Sequence, residues 1–116
     1  MKTEIYYNPR CSKCRRTLAL LQENGIDPSI VPYLDKPPSR NALSQIIRML
    51  DTDPRDLVRF KEGKARELGL SRKDKRSQAA WIQILREHPS LLERPIVIHG
   101  GKAAIGRPPE NVIRIL

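Results

Sequence analysis

The chain has 116 residues, 39% apolar and 30% charged, enough for one domain with a real core and no need of disulfide staples. No stretch approaches the length of a membrane span, and Met1-Lys2-Thr3-Glu4 opens without the apolar run of a signal peptide, so a cytoplasmic location is expected. The net charge of +9 would suit nucleic acid, an anionic surface or a small anion, but aromatics at 4% exclude a single-strand stacking platform.

Residues 3–7, β-branched and aromatic, read as a strand that ends in an Asn8-Pro9 turn. A helix over 12–24 follows, in which Cys14, Thr17, Leu18 and Leu21 fall at i, i+3, i+4 and i+7 as one buried stripe. Gly25 stops it. Pro28 to Tyr33 form a second strand around Ile30 and Val31, and the resulting βαβ unit should be right-handed and parallel. Pro37-Pro38-Ser39 breaks the chain, and Ser39 caps a helix over 40–50 whose stripe is Leu43, Ile46, Ile47 and Leu50.

A short helix starts at Asp53-Pro54 and carries Leu57, Val58 and Arg59, and a basic irregular stretch runs from Gly63 to Leu70. Ser71 with Asp74 reads as a capping box, and the cluster Arg72-Lys73-Asp74-Lys75-Arg76 as a solvated helix start. The helix itself is expected at about 76–87, anchored by Trp81, Ile84 and Leu85, and Pro89 ends it. After Arg94-Pro95, Ile96-Val97-Ile98 reads as a central strand, Gly100-Gly101 as a hairpin turn and Lys102 to Ile105 as its antiparallel return. Pro108-Pro109-Glu110 opens a terminal helix. The order is β-α-β, a helical block at roughly 36–90, then β-β-α. That is an α/β plan with the mixed four-stranded sheet of thioredoxin-like folds, the block inserted between its halves within a single domain, 1–116.

Cys11 stands where the first helix begins, facing unpaired N–H groups and the positive end of the helix dipole, both of which favour a thiolate. Arg10, Lys13, Arg15 and Arg16 add positive charge around it. Thiols in such settings fall from about 8.5 to about 3.5–7.5, so Cys11 is the candidate nucleophile. Cys14 lies one turn further along the same face. It is either a resolving thiol that closes a Cys11–Cys14 disulfide or the first residue of the apolar stripe. The two cysteines with His88 and His99 match no compact zinc spacing, and no metal is expected; His88 reads as a helix-end cap. Arg59, Arg94 and Arg107 stand out by position, because guanidinium forks hold oxyanions in bidentate fashion, although spacing alone does not show that they converge.

Asn8-Pro9-x-Cys11-Ser12-Lys13 after a strand, Tyr33-Leu34 before Pro37-Pro38, Glu67-Leu68-Gly69-Leu70, His88-Pro89, Glu93-Arg94-Pro95-Ile96-Val97 and Gly106-Arg107-Pro108-Pro109-Glu110 occur in that order. Together they resemble the glutaredoxin-coupled arsenate reductase family over essentially the whole chain. The resemblance implies that Cys11 attacks arsenate as a thiolate, that glutathione is a co-substrate with no bound cofactor, and that glutaredoxin accepts the mixed disulfide as arsenite leaves. It implies that Arg59, Arg94 and Arg107 hold the oxyanion, that Asn8 and Pro9 shape the site, and that Pro95 is the cis-proline beside the active cysteine. A monomer with no membrane or direct nucleic-acid partner is expected. Tyr7 stands where family members have a histidine, and a phenol there can donate a hydrogen bond to the thiolate but brings no charge. Cys14 stands where serine is frequent.

A second reading is the Spx-type redox-sensing regulator, which shares the fold, the CxxC and the Arg-Pro-Ile segment and binds RNA polymerase through a Cys11–Cys14 switch. Such a regulator has no need of a third oxyanion-holding arginine, and Arg107 is present. A plain glutaredoxin or thioredoxin would have a much shorter helical block.

Overall fold

The computed structural model describes residues 2–116 and divides them into two compact units. One takes the chain up to Lys36 together with Arg94–Leu116, and the other is Pro37–Glu93. The first unit carries β1 (Thr3–Tyr6), α1 (Ser12–Glu23), β2 (Ser29–Val31), β3 (Ile96–His99), β4 (Lys102–Ile105) and a 3-10 turn at Pro109–Ile115. Its strands form one mixed sheet in the order β2-β1-β3-β4, with β1 parallel to β2 and antiparallel to β3, and β3 antiparallel to β4. The mixed four-stranded α/β plan is the one expected.

Register explains the core of this unit. Ile5 pairs with Val97, and Val97 with Ala104, so these three side chains lie side by side on one face of the sheet. Leu21 of α1 and Val112 of the last turn cover them, and all five are buried. α1 ends as expected at Gly25, whose φ of 75° lets the Gly25 and Ile26 N–H groups bond back to Gln22 and Leu21 in a Schellman motif. Gly100 and Gly101 both have positive φ, the backbone a two-residue hairpin turn needs.

Four expectations in this unit need correction. The second strand spans only Ser29–Val31 at the sheet edge, and Ile30 is 51% exposed, because Pro28 and Pro32, which have no N–H, bracket it. The first strand stops at Tyr6 rather than residue 7. On α1, Leu20 is buried and Leu18 is half-buried, a small rotation of the expected stripe. The terminal helix is a 3-10 turn, with Val112 its buried residue.

The second unit contains α2 (Arg40–Leu50), a 3-10 turn at Pro54–Leu57, α3 (Gly63–Glu67), α4 (Gln78–Glu87) and a 3-10 turn at Pro89–Leu91. α2 and α4 pack on each other, with Leu43, Ile46 and Ile47 buried on one and Trp81, Ile82 and Leu85 on the other. Leu50 and Ile84, expected in the stripes, are half-buried. The stretch expected to be irregular from Gly63 to Leu70 contains α3, closed by Gly69 in a second Schellman motif in which the Leu70 N–H bonds to the Ala65 carbonyl at 2.9 Å.

Ser71 and Asp74 form a turn instead of a capping box, with the Asp74 N–H on the Ser71 carbonyl. Ion pairs hold the segment as a strap. Arg72 binds Asp56, Arg76 binds Asp74, and the two guanidinium groups lie 5.8 and 5.9 Å from the Phe60 and Trp81 rings. Helix α4 therefore starts later, at Ser77, whose Oγ accepts the Ala80 N–H at 3.2 Å, just as the Ser39 Oγ accepts that of Ala42 at 3.1 Å. Among the described residues no helix is long and apolar enough to cross a membrane.

Ser39→Ala and Ser77→Ala should each lower unfolding free energy by about 0.5–2 kcal/mol, measured by urea denaturation. An unchanged midpoint in either variant contradicts its role as a cap.

Candidate active site

The sheet register sets where the chemistry sits. Tyr6 pairs with both Val31 and Ile96, and Ile96 pairs with Ile105. The loop after β1, the segment before β3, the segment after β4 and the loop after β2 therefore all emerge at one end of the sheet. Cys11, Arg94 and Arg107 lie on the first three of these.

The loop after β1 is fixed by its own backbone. The Tyr7 N–H continues the ladder to the Val31 carbonyl at 3.0 Å, the Asn8 Oδ1 accepts the Arg10 N–H, and the Asn8 carbonyl accepts that of Cys11. Arg15 donates to the Pro9 carbonyl at 2.7 Å and ties the turn to the helix that follows. This Asx turn delivers Cys11 to the N-cap position of α1 in an extended conformation. No side-chain oxygen caps the helix, no acidic residue lies in its first turn, and a sulfur occupies the capping place.

At Cys11, burial opposes ionisation and is the largest single influence. It is outweighed by the Cys14 peptide N–H, the Cys14 thiol, the positive charge of Arg94 and the Lys13 peptide N–H, so the thiol titrates below its ordinary value. Cys14 goes the other way. Burial pushes it up to about 12, reinforced by the thiol and negative charge of Cys11 and opposed by the Asn8 N–H and Arg94. Both are free thiols, Cys11 9% exposed and Cys14 fully buried. Cys11 is thus the more readily ionised sulfur of the pair, and Cys14 holds its proton beside it. A thiol held so high is a slow attacker, which weakens its resolving role at neutral pH.

Arg10, Lys13, Arg15 and Arg16 are exposed, and the largest charge acting on the sulfur is that of Arg94. Tyr7 packs against the Ile5–Leu21–Val97 core.

Arg94 and Arg107 are joined directly, the Arg107 Nε donating to the Arg94 carbonyl at 2.7 Å. Both precede cis-prolines, Pro95 and Pro108, so the cis bond at Pro95 is as the resemblance implied. Between them Gly106 donates its N–H to the Pro95 carbonyl at 2.9 Å. A Cβ on Gly106 would lie 2.6 Å from the Thr17 Oγ1 and 2.7 Å from the Pro95 Cγ, so only glycine lets α1 and the proline loop close on this strand end. Thr17 and Gly106 are the positions sequence reasoning missed as parts of this site. A glycine directly before the arginine was the available signal, and the buried threonine on the stripe read simply as core.

The structure brings Cys11, Cys14, Arg94 and Arg107 into one unit. Arg59 belongs to the other. Its N–H bonds to the Leu91 carbonyl at 2.7 Å beside the Val58–Leu92 bridge, and its guanidinium pairs with Glu62 at 3.0 Å. The histidines serve structure: His88 closes α4 through its N–H on the Ile84 carbonyl, and His99 Nδ1 is 2.6 Å from the Thr3 hydroxyl across β1 and β3.

A family model described as the ArsC family matches residues 6–115. A protein named arsenate reductase from Haemophilus influenzae is 49% identical over 117 residues, covering 100% of both chains. One of the same name from Neisseria meningitidis is 44% identical over 114 residues, 97% of each chain. Among solved structures, an arsenate reductase from Vibrio cholerae is 44% identical and superimposes with a TM-score of 0.94, covering 100% of this chain and 98% of that one.

Iodoacetamide labelling read by mass spectrometry should modify Cys11 at neutral pH, because its thiolate population rises as pH passes its lowered pKa. Arg94→Ala should move that rise to higher pH, and Cys14 should resist labelling throughout. A Cys11 rate that climbs only in the ordinary thiol range near about 8.5 contradicts the site's electrostatics. Gly106→Ala should destabilise the fold by about 1–3 kcal/mol in the same denaturation assay, and unchanged stability contradicts the close approach.

Proposed function

The chain belongs to the ArsC family, and from that premise we propose that it is an arsenate reductase in which Cys11 is the nucleophile. The observation that carries the reading is the reachable, thiolate-favouring Cys11 with the charge of Arg94 acting on it, at the sheet end where Arg107 also emerges. The same cation that keeps the sulfur ionised draws an oxyanion toward it, so substrate capture and nucleophile activation share one charge.

In this reading the Cys11 thiolate forms a sulfur–arsenic bond as one arsenic–oxygen bond breaks, and the oxygen leaves as hydroxide or, with a solvent proton, as water. Arsenic stays As(V). Glutathione, the co-substrate, displaces a second oxygen in the same way. A glutaredoxin thiolate then attacks the glutathione sulfur. The arsenic–sulfur bond to glutathione breaks, its electron pair stays on arsenic, As(V) becomes As(III), and glutaredoxin carries away the mixed disulfide. Water displaces Cys11 from As(III), releasing arsenite and regenerating the thiolate. Arg94 and Arg107 hold the oxyanion, Asn8, Pro9 and Pro95 shape its site, and Cys14 serves as a proton-bearing neighbour. The enzyme acts in the cytoplasm as a monomer, on a small anion rather than nucleic acid or membrane.

A steady-state assay with arsenate, glutathione and glutaredoxin tests this. The wild-type chain should turn over, Cys11→Ser should fall to background, and Cys14→Ser should keep most of the rate. Arg107→Ala should raise KM for arsenate by roughly 10- to 100-fold, the worth of one charged hydrogen bond. No wild-type turnover, together with oxidation-dependent binding to RNA polymerase, would replace this reading by the regulator.

A further inference from the structure

Helix α1 meets the two arginine segments at the side chain of Thr17. Cys11 is the N-cap of this helix, and Thr17 lies on the face that carries Cys14, one turn beyond it. Thr17 is fully buried, and among the described residues its hydroxyl oxygen has no hydrogen-bond partner. A threonine inside a helix can donate its hydroxyl to a carbonyl one turn back, here that of Lys13 or Cys14, and this one does not. An unpaired buried hydroxyl is unfavourable, and a valine would have the same branched shape without it.

The neighbours of the side chain account for the oxygen. Both branches face Gly106. A Cβ there would lie 2.6 Å from the Thr17 Oγ1, 3.3 Å from its Cγ2 and 2.7 Å from the Pro95 Cγ. The oxygen is the branch that comes closer. Oxygen settles against an aliphatic C–H carbon at about 3.3–3.6 Å, whereas two carbons prefer about 3.5–4.0 Å. A methyl in its place would hold the glycine off by about 0.3 Å. Gly106 does not move alone, because its N–H bonds to the Pro95 carbonyl at 2.9 Å. The next residue, Arg107, donates from Nε to the Arg94 carbonyl at 2.7 Å. Arg94-Pro95 and Gly106-Arg107 thus form one clamped corner, which rests on α1 through Thr17.

We infer that Thr17 is a positioning residue, whose hydroxyl oxygen seats the Arg94–Arg107 corner against α1 and so sets how closely the two arginines and the Cys11 sulfur share one oxyanion. The oxygen is unpaired because its neighbour is a Cα–H rather than a donor or acceptor. This role rests on the reductase reading and deepens it, since Thr17 acts through the corner and not on the reacting atoms.

The test uses the full chain and inorganic sulfate, an oxyanion that thiols do not reduce, as a protector of Cys11 against iodoacetamide. Sulfate should slow labelling of the wild type in a saturable way. In Thr17→Val the sulfate concentration that halves the rate should rise roughly three- to tenfold, because a 1 Å misplacement costs about a hundredfold and the displacement is about a third of that. Thr17→Ala, which removes the seat without adding bulk, should weaken protection as well, so a valine variant that fails to fold does not end the test. Thr17→Ser keeps the oxygen and should return close to the wild-type value. KM for arsenate should follow the same order. Equal protection in the wild type and the valine or alanine variant, a serine variant as weak as the valine one, or no protection of the wild type overturns the inference. Failure of the reductase reading shows separately, as sulfate protection without arsenate turnover.

Discussion

The ionisation of one buried sulfur is what the rest of the site depends on. Burying a thiolate is unfavourable, and at Cys11 that penalty is the largest influence present. It is overcome only because Cys11 sits at the N-cap of α1, where peptide N–H groups have no helical partner, and because Arg94 and the Cys14 thiol face the same sulfur. Of the exposed cationic residues in the motif, Lys13 contributes through its peptide N–H, and the largest charge acting on the sulfur is that of Arg94. Fixed dipoles and one half-buried guanidinium are less screened by solvent than flexible surface charges, and so count for more per group. The asymmetry between Cys11 and Cys14 follows directly: the first titrates below the ordinary thiol value and the second above it.

Backbone geometry makes that arrangement reproducible. Pairing of Tyr6 with Ile96 and of Ile96 with Ile105 forces the nucleophile loop and both arginine segments to the same end of the sheet, whatever their side chains do. The glycine at 106 then lets Thr17 of α1 and the ring of Pro95 meet the end of β4 at a distance no other residue permits. The Arg107 to Arg94 hydrogen bond adds orientation to proximity. The electrostatics are therefore a consequence of strand register and one missing Cβ, rather than of an accumulation of positive charge.

Much of this was legible in the chain. Ile96-Val97-Ile98 and Gly100-Gly101 have one good solution each, a central strand and a tight hairpin, and Ser39 and Gly25 mark helix ends by chemistry that does not depend on tertiary context. The Asn8-Pro9-x-Cys11 turn points to a thiolate by its local chemistry alone. What failed depended on contacts distant in sequence. Ser71 and Asp74 look like a cap, but Arg72 and Arg76 are drawn to Asp56, Phe60 and Trp81, and the helix waits for Ser77. Ile30 looks like core, but prolines on both sides confine its strand to the edge. The largest charge acting on Cys11 is that of Arg94, more than eighty residues away in sequence, which no spacing rule reveals. Arg59 was recognisable as a candidate, and in the structure it is anchored in the second unit by Glu62 and Leu91.

In the proposed reaction the Cys11 sulfur, held ionised, bonds directly to arsenic. X-ray absorption at the arsenic edge, on protein incubated with arsenate and no other thiol, measures that bond. The account requires one sulfur in the arsenic coordination shell of the wild-type protein and none in Cys11→Ser. An all-oxygen shell around arsenic in the wild type, or a sulfur ligand that persists without Cys11, contradicts it.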